Sequence, residues 1–256
     1  MLLISLEIVF DVVKGPIVES IDTVIGDDES VIDNNSIKET IAFAAMPETG
    51  QSACTVYDFR IRNETTYLFG TCMYEIEECE ATGRNYKQTS RVLLSDNYKM
   101  RVHMRNVLES RLDPSSLDVF NLIDEQSEWV TNREVAMCLY PFIDQLIDIL
   151  HALKSRQPIA VYGKQTRRVS DLVICLVSLC YSNEEEERDW RPILTLHDPD
   201  CLPLLRQADC SIVGFCNPML LGKAFAFNLI DTDECVFKPT SGLTRKRSRL
   251  TDAIKS

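Results

Sequence analysis

Only three histidines occur in the 256 residues, at positions 103, 151 and 197, and there are just nine glycines. Histidines so far apart cannot make HExxH, and no Cys/His cluster has the short spacing of a zinc site. The ten cysteines contain no CxxC pair. GxSxG and GxGxxG are absent as well, so the common signatures of a nucleophile elbow and a dinucleotide site are missing. Basic charge is scarce too, with a formal net charge of -12. From Lys238 onward six basic residues face the single acid Asp252, a tail of +5 that leaves residues 1–237 at -17. A body of that sign excludes the basic stripe of a duplex-binding protein. No apolar run approaches the roughly 18 residues of a membrane span. The N-terminal stretch Met1–Phe10 is apolar but carries Glu7. Without a cationic n-region or a small-residue cleavage site, it reads as a strand rather than a signal peptide.

Hydrophobic residues, at 45%, suffice for a sizeable core. Many cysteines sit in apolar runs such as Ile174-Cys175-Leu176, which reads as small reduced hydrophobes in a cytosolic protein. The pattern over residues 2–112 predicts strands at 2–13, 17–25, 54–61, 67–76 and 89–95, with Lys14-Gly15-Pro16 as a turn. A helix is expected from Ser36 to about Ala45, capped by Ser36 with Glu39 at the capping-box position. A second follows over Met100–Arg111. Asp113–Asn132 is polar, contains Pro114 and paired serines, and reads as a linker. Beyond it the periodicity changes. Phe142, Ile143, Leu146, Ile147, Leu150 and Leu153 recur at helical spacing, Ser170-Asp171 can cap an all-apolar helix Leu172–Tyr181, and strands are expected at 158–162, 192–196, 211–215 and 225–230. Alternating strands and helices argue for a parallel sheet with right-handed crossovers. The fold class expected is therefore α/β, a strand-rich lobe over 1–112, a linker over 113–132, an α/β lobe over 133–237 and a basic tail over 238–256.

Three motifs invite chemistry. Gly163-Lys164-Gln165-Thr166 follows a strand and precedes a helix, but position 158 is Pro where a P-loop needs Gly, and Gln165 stands where it needs the magnesium-binding hydroxyl. His197-Asp198-Pro199-Asp200 follows a strand, where α/β proteins place active sites, and an imidazole with two carboxylates suits acid–base work. Asp198-Pro199 is equally an ordinary turn. Asp231-Thr232-Asp233-Glu234 begins like a calcium loop but lacks its sixth-position Gly and twelfth-position Glu. His103 and His151 read as core-edge residues of helices. The tail residues Arg245, Lys246, Arg247 and Arg249 are a candidate contact with an anionic leaflet, at roughly 1 kcal/mol per charge.

Two stretches resemble the DENN family. Ile8–Glu19 with its Gly15-Pro16 turn, Ala42–Glu48, Tyr67–Tyr74, Gly83-Arg84 and Gln88–Ser95 are similar to the upstream DENN module. Thr89 stands where that family has Lys. Pro158–Gly163, Ser170–Leu179, Trp190–Asp200 and Ile212–Pro218 follow the central module in order. The matches span about residues 8–230. The resemblance implies a longin-like α+β N-terminal lobe, a doubly wound parallel-sheet α/β lobe, and no cofactor. It also implies a Rab-like small GTPase as partner, guanine-nucleotide exchange in vesicle traffic, and a cytoplasmic protein peripheral on endomembranes. The central module is shortened here and the downstream helical module is missing. That favours an alternative, a non-catalytic scaffold paired with a second DENN or longin protein. The expected partner surface is an inter-lobe cleft near Lys14, Gly15, Pro16, Arg84, His197, Asp198, Asn217 and Pro218.

Overall fold

A computed structural model describes residues 2–26, 32, 34–46, 54–63, 66–78, 86–113, 129–180, 189–207 and 211–240. In β1 (Leu3–Asp11) alternation buries Ile4, Leu6 and Ile8 and leaves Glu7 exposed on the other face. β1 turns into β2 (Gly15–Ile25), and both pair antiparallel. The side chain of Asp11 accepts from the N–H groups of Val13 and Lys14, each at 2.8 Å, and Gly15 takes φ +83°, so a three-residue turn needs the glycine expected there. β3 (Cys54–Asn63), β4 (Thr66–Glu78) and β5 (Tyr86–Ser95) complete an antiparallel sheet of order β2-β1-β5-β4-β3. All five expected strands are present.

α1 (Asn35–Ala44) packs against β2 and β3, and α2 (Arg101–Glu109) against β3 and β4. Alternation along β3 sends Tyr57 toward α1, where its hydroxyl donates to Ala44 O, and Asp58 toward α2. The cap of α1 corrects the sequence reading. The Asn34 side chain accepts from Ser36 N–H at 2.9 Å, so Ser36 lies inside the first turn and Glu39 makes no capping box.

α3 (Asn132–Leu139) begins on the last residue of the expected linker and is a helix the sequence reading did not assign. It has the capping box assigned to α1, with Thr131 and Glu134 bonding each other's backbone N–H groups. Of the expected linker, residues 114–128 lie outside the described residues, whereas Val130 is buried and Trp129 packs edge-on against Tyr98 and tilted against Trp190. A 3₁₀ stretch (Tyr140–Gln145) with Pro141 in its first turn leads into α4 (Leu146–Lys154), on which His151 is exposed rather than at the core edge.

The second sheet has order β10-β9-β6-β8-β7. β6 (Ile159–Tyr162), β7 (Trp190–Arg191), β8 (Ile212–Phe215) and β9 (Asn228–Asp231) run parallel, and β10 (Val236–Lys238) pairs antiparallel with β9. The expected strand at 192–196 shrinks to two residues ahead of Pro192, because the chain bends away there and Leu194 N–H reaches Gly214 O at 2.7 Å. Ile159, Val161, Ile212 and Ile230 face one side of this sheet, and Ala160, Val213 and Phe215 the other, where α6 (Cys201–Gln207) packs. The protein is mixed α/β, with two sheets.

α5 (Thr166–Cys180) starts six residues earlier than its expected Leu172. It runs between the sheets, against the edge strand β3 of the first and β6, β7 and β8 of the second. This placement explains why Val173, Ile174, Cys175, Leu176 and Val177 are all buried, and it covers a strand edge that would otherwise be open. One hydrophobic core runs from Leu2 in the first sheet to Phe237 in the second.

Candidate functional site

The two lobes are locked by charge as well as by apolar packing. Asp58 and Arg101 are almost wholly buried. The Asp58 carboxylate accepts from Thr71 Oγ1 at 2.8 Å, from Arg101 Nε at 2.8 Å and from Arg105 Nη2 at 2.6 Å. The same guanidiniums reach across to Asp171 on α5, and Arg101 Nη1 reaches Glu134 on α3 at 3.2 Å. Ser170, expected to cap a helix, instead lies within α5. Its hydroxyl bonds the backbone of β3 twice, accepting from Asp58 N–H at 3.0 Å and donating to Asp58 O at 2.9 Å. Burial opposes ionisation of Asp58, but the charges of Arg105 and Arg101 overcome it and hold the carboxyl below its ordinary value. At Asp171 burial outweighs Arg105, and the pKa rises.

A second seam lies at β7. The Arg60 guanidinium of β3 sits 3.7 Å from the Tyr67 ring centroid and 4.4 Å from that of Trp190. Arg191, fully buried, stands over Tyr67 from the other lobe at 4.8 Å.

Next to these seams the lobes meet at the surface. The loop after β7 brings His197 flat against Phe43 of α1, with ring centroids 3.4 Å apart and planes 9° from parallel. On the hairpin side, a Cβ added to Gly15 would touch the same Phe43 ring at 3.7 Å. Phe43 thus joins two expected site residues, Gly15 and His197, across the lobes. Lys14 and Pro16 flank Gly15, and Val13 at the hairpin tip is 91% exposed. The crevice behind this face is bordered by Ala44, Met46 and Tyr57 of the first lobe and by Thr166, Thr195 and Cys216 of the second. Asn217 and Pro218 follow Cys216 directly. Asn217 Oδ1 accepts from Met219 N–H at 3.0 Å and starts a short 3₁₀ turn, so its side chain shapes the loop. Arg84 and the tail residues Arg245, Lys246, Arg247 and Arg249 lie outside the described residues.

The carboxylates beside His197 are engaged in structure. Arg191 Nε lies 3.7 Å from Asp198 Oδ2, and its Nη2 lies 3.5 Å from Asp200. Asp198 Oδ1 also accepts from Asp200 N–H at 2.9 Å. Burial raises the pKa of Asp198, with Arg191 opposing. The imidazole faces Phe43 while both acids face Arg191, so the trio does not converge on a point where a substrate atom could sit. Among the described residues no group of three or more His, Cys, Asp or Glu side chains gathers in a metal-binding arrangement. The Gly163–Thr166 turn does face anionic oxygen, but it comes from the chain itself. Lys164 N–H donates to the Asp233 carboxylate at 3.1 and 3.2 Å.

Sequence reasoning missed Phe43 and the Asp58–Arg101–Arg105 cluster. A sequence signal existed for the cluster. Arg101 and Arg105 are spaced i, i+4 on a helix whose other apolar positions face inward, so two arginines share the buried face. Phe43 gave no signal distinct from an ordinary core aromatic. Comparison with known proteins finds no family model that matches the chain and no curated protein that matches it.

Proposed function

We propose that this protein is a DENN-like regulator of a Rab-like small GTPase. In this reading a longin-like lobe and a doubly wound lobe form a rigid clamp, and the GTPase sits on the inter-lobe face around Gly15, Phe43 and His197. The observation that carries the reading is the convergence of the β1–β2 hairpin and the β7 loop on one phenylalanine. Two segments about 180 residues apart in sequence share a single composite surface with an exposed apolar tip at Val12 and Val13. The resemblance of Ile8–Glu19 and Trp190–Asp200 to DENN modules supports the same reading, since both segments lie beside Phe43.

Such a clamp needs no acid, base or metal. It accelerates exchange by binding the nucleotide-free partner more tightly than the loaded one, and linkage requires that nucleotide weaken the clamp to the same degree. Each tenfold in nucleotide affinity takes about 1.4 kcal/mol of differential contact, drawn from an interface of roughly 1,600 Å². Rigidity matters here because a lobe free to follow the partner would bind both states alike. The Asp58 cluster and the shared core supply that rigidity.

The experiment is a pull-down of a panel of Rab-like GTPases in GDP-bound, GTP-bound and nucleotide-free form, paired with release of a fluorescent GDP analogue. Preferred capture of a nucleotide-free member and faster release are expected. Equal capture of all three forms, with unchanged release across the panel, overturns the reading. A stable complex with a second longin or DENN protein and no release activity would select the scaffold alternative.

A further inference from the structure

Tyr140, Ile143, Ile147 and Leu150 follow one another at three- and four-residue steps along the 3₁₀ stretch and α4, and all four face solvent. Ile147 is 82% exposed and Tyr140 75%. Residues Phe142, Ile149 and Leu153 on the inward face fill the core, so the helix is apolar on both sides. The Asn132–Lys154 stretch is long and apolar enough to cross a membrane, with 22% of its most apolar window buried. Pro141 and the kink at Phe142 interrupt it, and the charged side chains between Glu134 and Lys154 are Asp144 and Asp148. Four large apolar side chains in a row on one helix form an unpartnered stripe, larger than scattered exposure explains. From Tyr140 to Leu150 it extends about 15 Å.

The chain itself passes beside this stripe. The Gln145 side chain, in the middle of the helical stretch, donates to Cys235 O at 3.2 Å and accepts from Phe237 N–H, which ties β10 to it. Three residues later Thr240 N–H donates to Asn228 Oδ1 at 3.0 Å, and Asn228 donates to Gln157 Oε1 and Pro158 O just past the end of α4. The path therefore follows α4 from Gln145 to its C-terminal end. The next segment, 241–256, lies outside the described residues. Its sequence carries Arg245, Lys246, Arg247, Arg249 and Lys255 against one acid, with Leu243, Leu250 and Ile254 between them. Sixteen residues reach up to about 50 Å, several times the length of the stripe.

We propose that the Tyr140–Leu150 stripe is the docking site of the chain's own segment 241–256. Leu250 and Ile254 cover the isoleucines, and the basic run lies beside Asp144 and Asp148. Apolar face meets apolar residues, the only charges midway along the stripe are acidic, and those of the segment are basic.

The test uses the full chain with a photo-crosslinking amino acid at position 147 and, as control, at Phe225, another exposed apolar site. Crosslinks from 147 to peptides of 241–256 within the same molecule are expected, unchanged on dilution and absent from 225. Asp144→Lys with Asp148→Lys should lower their yield by about three- to tenfold, and charge reversal at Arg245–Arg249 should do the same. Thermal unfolding of each variant confirms that it folds. Crosslinks whose yield falls with dilution would show a second copy on the stripe. Loss of the crosslink on adding phosphatidylserine vesicles, with label transferred to lipid at 147, would show a membrane. Either result, or no crosslink from 147 to 241–256, overturns the proposal.

Discussion

The Phe43 ring lies flat on the His197 imidazole, 3.4 Å between centroids, and this one contact carries the first lobe's helix α1 onto the second lobe's β7 loop. Both rings are at the surface rather than in the core, since His197 is exposed and Phe43 half-buried. Replacing either removes little core packing. Phe43→Ala and His197→Ala should therefore each unfold within a few degrees of the parent. If the composite face is the GTPase contact proposed above, capture should fall by about tenfold, the effect of roughly 1.4 kcal/mol at an interface anchor. Pull-down paired with a thermal melt separates the two effects. If both variants capture the partner as well as the parent does, the composite face is not the contact surface.

Asp58 bridges two guanidiniums that have almost no access to water, with Asp171 as the second shared carboxylate. Arg101 is 1% exposed, and Arg105 is buried beside it. Asp58→Ala leaves both charges without their central counter-ion, and uncompensated buried charge of this kind costs about 3–5 kcal/mol. Chemical denaturation should show that loss as a lower midpoint. Because the cluster joins β3, α2, α3 and α5, the proposed clamp would lose its rigidity in this variant, and any GTPase capture by the parent should weaken below the variant's unfolding temperature. A midpoint within error of the parent would mean that water or a rearranged Asp171 replaces the carboxylate.

The same carboxylates set opposite pH trends. Asp58 is held below its ordinary value of 3.8, so its contribution is complete above that value and is lost as pH falls through the lowered one. Asp198 is raised above 3.8, so its contribution is complete below 3.8 and is lost as pH rises through the raised value. Asp198→Asn keeps the oxygen that accepts from Asp200 N–H and removes the titration. Relative to that variant, the parent should gain denaturation midpoint as the pH falls through the raised value toward 3.8. Parallel curves over that window would show that Asp198 carries no such linkage.

Much of the fold was legible because periodicity reports burial. β1, β3, β4 and β5 of the first sheet show a buried face or a doubly buried run, β2 a half-buried one, and the all-apolar helix around Ile174 is enclosed on most sides. What was not legible is where burial comes from a partner far along the chain. Ser170-Asp171 looks like a helix start because Ser and Asp cap helices, yet here the two bond β3 and the α2 arginines, more than 60 residues away. The strand expected over 192–196 lies instead at Trp190–Arg191, because Ile193 and Leu194 are buried by a bend beyond it rather than by a ladder. At the candidate site, Gly15 and His197 were identifiable as a turn residue and a strand-end residue. Phe43, which joins them, was hidden within an ordinary amphipathic helix.

Gly70 shows how tightly the first sheet is closed. It pairs directly with Phe59 across β3 and β4, and the Phe59 ring folds over it so that an added Cβ would fall inside the ring's van der Waals envelope. Phe59 is fully buried. Gly70→Ala must therefore push the ring off its rotamer or spread the strands, an overpacking cost of about 1–3 kcal/mol. Gly222 supplies the contrast. A Cβ there meets nothing within 4 Å and its φ lies outside the left-handed region, so Gly222→Ala should be neutral to slightly stabilising, within about 0.5–1 kcal/mol. Urea midpoints of the two variants measured side by side test the pairing of β3 with β4. Equal midpoints would mean that Phe59 does not cover Gly70, and the register that sets Asp58 against the α2 arginines would have to shift with it.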